Sequence, residues 1–173
     1  MRHIIAILLL MLAQAASAHE FDACNAPSES PVKELSNERV RAASVRVLNK
    51  ARLTGLFALC EFPGTIPRIV LVRLPDRDVT VVFVPLYVEA FTDDALDGMF
   101  GHEFGHVPTW FAPLNGIADE KRADKQGKVW LGERPMLAFL AALKAEAHRA
   151  PKMVQPIWHA EINERIDAVL YDD

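Results

Sequence analysis

The five residues HEFGH at 102–106 constrain the fold of this chain more than any other stretch, because their use depends on a helix. With six His and twelve Glu in 173 residues, HExxH arises by chance in about one such sequence in seventy, so the flanking residues have to decide. Thr92-Asp93-Asp94 offers capping oxygens and negative charge to a helix N-terminus, and Pro108 stops a helix, which predicts a helix from about 93 to 107. At about 100° per residue His102 and His106 lie only about 40° apart on the wheel, so both imidazoles can reach one ion. Glu103 is turned aside, towards the place a metal-bound water would occupy. Gly98, Gly101 and Gly105 form a neighbouring stripe. Each costs about 1 kcal/mol against alanine in a helix interior, so a second backbone is expected to approach there.

A zinc ion that does chemistry takes three protein ligands and keeps one position open. After the Asn115-Gly116 turn, IADEKRADKQGKVWL sets Glu120, Ala123, Asp124, Gly127 and Leu131 on one helical face, while Lys121, Arg122, Lys125, Gln126 and Lys128 take the other. A carboxylate on an apolar face is costly unless it meets a cation or hydrogen-bond donors, and an ion with its histidine N–H groups supplies both. Glu120 is therefore expected as the third ligand, and Asp124 as the partner that orients a ligand histidine, His102. The competing reading is a solvated, mixed-charge helix.

The N-terminus MRHIIAILLLMLAQAASAHE joins Arg2 to an apolar run and then to Ala16-Ser17-Ala18. Residues 1–18 read as a removed secretory signal, since the run from Ile4 to Ala13 is short for a membrane anchor. Residues 19–173 then form a single domain in the periplasm or outside the cell. The mature balance of 18 basic against 23 acidic groups gives no bulk attraction for nucleic acid or anionic lipid. The longest later apolar stretch, MLAFLAAL from Met136, is bounded by Arg134 and Lys144, so no stable membrane insertion is expected after signal cleavage. Cys24 and Cys60, the only cysteines, are expected to bond in an oxidising compartment, stapling the N-terminal tail to the end of the first helix. The alternative for them is a catalytic thiol or a thiolate ligand.

From Glu34, the spacing of Val40, Ala43, Val47, Leu48 and Ala51 predicts a long amphipathic helix ending near Cys60. EFPGTIP breaks it. RIVLVRL and VTVVFV flank Pro75-Asp76-Arg77-Asp78 and read as a β-hairpin rich in β-branched residues. The fold class is α+β, mostly helical, with a small antiparallel hairpin or sheet before the HEFGH helix.

A strand, a capped helix carrying HExxH and a second helix carrying ExxxD ending in Ala-Asp resemble the gluzincin zinc metallopeptidases, most of all the HtpX-like and CAAX prenyl protease family. The resemblance covers about residues 79–127. It extends to HAEINERIDAVL, where a family histidine and arginine match His159 and Arg165, with Ala160 in place of the family's usual proline. Only 13 residues separate His106 from Glu120, whereas family members carry a longer connection, often with transmembrane helices. The chain thus looks like a stripped-down soluble version, with Trp110 and Phe111 as nearby lid, pocket or core material.

The resemblance implies a zincin-like fold with one Zn2+ per chain on His102, His106 and Glu120. Glu103 would be the general base, Asp124 and Arg165 supporting residues, and His159 a second donor to the oxyanion or a surface histidine. The implied substrate is a polypeptide, held as an added strand along a sheet edge near Val79–Val84. A different class is a zinc-stabilised or metal-free chaperone-like or interaction module, which has no use for a base at position 103. A third reading, a deformylase-like hydrolase, needs Cys24 or Cys60 free.

Overall fold

The computed structural model describes residue 24 and residues 33–64, 67–73, 78–109, 116–149 and 156–172. The expected signal at 1–18 and the pair Trp110 and Phe111 lie outside the described residues.

Helix α1 spans Glu38–Ala51 and begins where the Asn37 side chain accepts from the Val40 N–H at 3.2 Å. It buries Val40, Ala43 and Val47, as the apolar spacing predicts, but it stops well before Cys60. Arg52 turns left-handed at φ 53° and Gly55 follows at φ 139°, a conformation that suits glycine. The next residues therefore extend as β1, Phe57–Phe62, with Ala58 and Cys60 buried on one face and Phe57 and Leu59 against the helical core on the other. Cys24 and Cys60 are bonded, so the bridge ties the N-terminal region to a strand rather than to a helix end.

β2 (Arg68–Arg73) and β3 (Asp78–Pro85) form the expected antiparallel hairpin, in register from Arg68 opposite Phe83 to Arg73 opposite Asp78. β1 then pairs with β3 in parallel, Phe57 opposite Thr80 through Phe62 opposite Pro85. The result is a three-stranded mixed sheet of order β1-β3-β2, not a purely antiparallel one. β3, expected as an edge, is the central strand. Its burial from Val79 to Pro85 on both faces is the pattern of a strand with neighbours on each side.

The two outer edges differ. Leu35 N–H donates to Leu59 O at 2.9 Å and Glu61 N–H donates to Lys33 O at 2.7 Å, so residues 33–35 cap the outer edge of β1. Among the described residues, β2 has no neighbour on its outer side. One sheet face, with Cys60, Val81 and Phe83, packs under Cys24; the other sends Val82 and Val84 into the main core.

A short 3-10 turn, Leu86–Ala90, leads into α2, Asp93–Gly105, whose first turn is capped by Thr92 Oγ1 accepting from Ala95 N–H at 3.2 Å. Every residue from Gly98 to Gly105 is buried, so beyond its acidic first turns α2 runs through the interior with no solvent-facing side. Three helices surround it: α1, α3 (Ile117–Leu131) and α4 (Glu133–Arg149). The glycine stripe has the expected cause. A Cβ at Gly105 would collide with the Ala123 backbone on α3, and one at Gly98 with the Pro135 carbonyl on α4. α5, Pro156–Tyr171, closes the molecule across α3 and α4. No helix among the described residues is long and apolar enough to cross a membrane.

Candidate metal centre

The close approach of α2 to α3 through Gly105 and Ala123 is what brings the C-terminal turn of α2 over the first turns of α3. His102 lies in the last turn of α2, His106 is its C-cap, and Glu120 stands in the first turn of α3. Their ligand atoms all fall within 4.8 Å of one another, a group that could hold a metal ion. His102 Nε2 is 3.3 Å from His106 Nε2 and 3.2 Å from Glu120 Oε2; Glu120 Oε1 is 3.9 Å from His106 Nε2. Donors about 2.0–2.1 Å from a tetrahedral ion sit about 3.3 Å apart, so the two shorter distances match such an ion, while the Glu120–His106 side is wider and would have to close on it.

The opposite ring nitrogens are held by carboxylates. His102 Nδ1 is 2.9 Å from Asp124 Oδ1, and His106 Nδ1 is 3.2 Å from Asp119 Oδ2. An N–H on each Nδ1 therefore donates to a carboxylate and leaves each Nε2 lone pair facing the other ligands. Arg165, on α5, reaches in and donates to Asp124 Oδ2 at 2.7 Å and Oδ1 at 2.9 Å, and to Glu120 Oε2 at 2.9 Å. Asp124 is fully buried and Arg165 is 6% exposed, so these ions are charge-paired rather than solvated.

Burial and Arg165 push the His102 imidazole towards neutrality, but Asp124 and Glu120 outweigh them and raise its pKa to about 10. A metal ion bound at this centre would have to compete with a proton for the His102 imidazole. Burial pushes His106 down, reinforced by the neighbouring His102. For Glu120, burial favours the acid, yet His102, Arg165 and His106 hold its pKa at about 2. Asp124 is likewise held below its ordinary range by His102 and Arg165 against burial. Glu103 is the exception among the carboxyls: burial raises its pKa to about 7 in spite of His102 and Arg165.

The centre opens onto a cleft of about 530 Å³. Pro67, Arg68 and Ile69 at the start of β2 form one border, and Phe139, Leu143 and Ile162 supply an apolar wall. Glu103 lines this cleft with His102 and His106, 3% exposed.

His102, Glu103, His106, Glu120, Asp124 and Arg165 are thus brought together. The backbone of His159 belongs to α5, while its side chain lies outside the described residues. Cys24 and Cys60 are joined to each other, which leaves no free cysteine to act as a ligand. Sequence reasoning missed Asp119. It stands next to Glu120 but off the apolar face, and only the crossing of α2 over the start of α3 turns it towards His106. Comparison of the chain with protein-family models, curated proteins and solved structures gave no match.

Proposed function

We propose that this chain is an exported zinc metalloendopeptidase that hydrolyses peptide bonds in extended or unfolded polypeptide. One observation carries the reading: three ligand groups, with atoms within 4.8 Å of one another, share a cleft with a buried carboxyl, Glu103. Two imidazoles and a carboxylate suit zinc. Bound zinc supplies a Lewis acid that lowers the pKa of water and polarises a carbonyl.

The side chains do the rest. His102, His106 and Glu120 hold the ion, and Asp124 with Arg165 fixes the His102 ring and the Glu120 carboxylate. Glu103 takes a proton from water as its oxygen adds to the scissile carbonyl carbon, then returns that proton to the nitrogen as the C–N bond breaks. Burial favours the acid form of Glu103, which suits the return of the proton, and the anion accepts it in the first transfer. Phe139, Leu143 and Ile162 keep bulk water from one wall of the cleft.

The free edge of β2, which borders the cleft at Pro67–Ile69, offers main-chain hydrogen bonds to an extended segment. Such recognition reads backbone more than side chains. The disulfide fits an oxidising compartment, in keeping with a periplasmic or secreted protein. Metal analysis of the remetallated protein should find about one zinc per chain, lost in His106→Ala. Cleavage of an unfolded protein should stop on chelation and return with zinc; a wild type that takes up no zinc refutes the reading.

A further inference from the structure

Asp119 occupies the first turn of α3, where an acidic residue is ordinarily accounted for by the helix dipole. Its side-chain geometry asks for more than that. Asp119 Oδ2 lies 3.2 Å from His106 Nδ1, while Oδ1 is bound by Arg122, one turn further along α3. His106 Nε2 points the other way, 3.3 Å from His102 Nε2.

The same order of groups appears on the other ligand. His102 has its Nδ1 on Asp124, and Asp124 is in turn bound by Arg165. Each ligand imidazole therefore carries its own carboxylate, and each carboxylate its own guanidinium. Within six residues, α3 supplies a carboxylate for His106, the ligand Glu120 and a carboxylate for His102.

We propose that Asp119, steadied by Arg122, is the positioning residue for His106, fixing the tautomer and ring orientation that present Nε2 to the ion. The inference rests on the metal reading above. A carboxylate on Nδ1–H removes the alternative tautomer and makes Nε2 a stronger donor. A residue serving only the helix dipole needs charge but no particular partner, and this difference makes the two roles separable.

Asp119→Ala and Asp119→Asn are compared with wild type in the full protein. The readouts are zinc affinity by competition with a chromophoric chelator, the visible spectrum of the cobalt-substituted protein, and thermal unfolding without metal. Asp119→Ala should bind zinc about tenfold more weakly, the loss of an outer partner to a ligand histidine, and should change the cobalt spectrum. Asp119→Asn keeps an oxygen that accepts from Nδ1–H and should recover most of that affinity and the wild-type spectrum. It has nonetheless lost the charge that favours the helix terminus, so its metal-free stability should fall as in Asp119→Ala. The inference is overturned if Asp119→Ala binds zinc as tightly as wild type, or if both variants weaken zinc equally. If wild type itself binds none, the metal reading fails and takes this inference with it.

Discussion

His102 and His106 stand one turn apart and face the same point, yet the protein holds them in different media. The inner set is nearly dry: the side chains of His102, Asp124 and Arg165 are 5%, 1% and 8% exposed. The outer set lies at the rim of the cleft, with His106, Asp119 and Arg122 at 14%, 25% and 27%. Similar chemistry in the two places should therefore have different energetic weight. Removing one member of a buried pair strands the other charge in a poor solvent, whereas at the rim water takes over much of the lost interaction.

The largest contrast should appear in stability. Arg165→Met, which leaves Asp124 buried beside a neutral chain, should destabilise the metal-free protein by about 3–5 kcal/mol in denaturant unfolding. Arg122→Met should cost less than about 1 kcal/mol. Equal losses would erase the distinction between a dry and a wet set.

Reducing the disulfide provides a comparison remote from both histidines. Cys24 and Cys60 are separated by 36 residues, and closing a loop of that length is worth about 3–4 kcal/mol in the chain-entropy account. Reduction should lower the unfolding temperature while the folded protein keeps its zinc affinity. A parallel loss of metal at temperatures where the fold persists would mean that the sheet and the centre are coupled more tightly than their contacts suggest.

A smaller effect should separate the two carboxylates in metal binding. Asp124→Ala should weaken zinc about a hundredfold, the upper end for an outer partner of a ligand histidine, against about tenfold for Asp119→Ala. The order Asp124 above Asp119 is the quantity to measure, by the same chelator competition. A reversed order would make the rim set the principal support.

How far the sequence disclosed these two sets follows from the range of the interactions that build them. The helices carrying His102, His106 and Glu120 were legible because Thr92, Gly116 and Pro108 act within a turn or two. Asp124 was legible because it shares a face with Ala123 and Gly127, both buried as expected. Arg165 is 41 residues from Asp124 along the chain and was reached only through the family resemblance. Asp119 was missed because its partner is set by how α2 crosses α3, which the spacing within either helix does not encode.

The sheet was read less well for the same physical reason. FALCEF carries apolar residues at positions compatible with a helix's end or a strand, and the decision lies with Gly55 and with the backbone partners that β3 provides. Parallel pairing of β1 with β3 is a long-range choice. The hairpin of β2 with β3 needs only a short turn, and that part was correctly anticipated.

The most direct test of the account is Glu103→Gln, which keeps the side chain's shape and removes the base. Zinc content and cleavage of an unfolded protein are measured on the same preparations of wild type and variant. The account predicts about one zinc per chain in both and hydrolysis at least about a hundredfold slower in the variant, the contribution expected of a general base. Equal cleavage by the two preparations, or a zinc-loaded wild type that cleaves nothing across a broad peptide library, would contradict it.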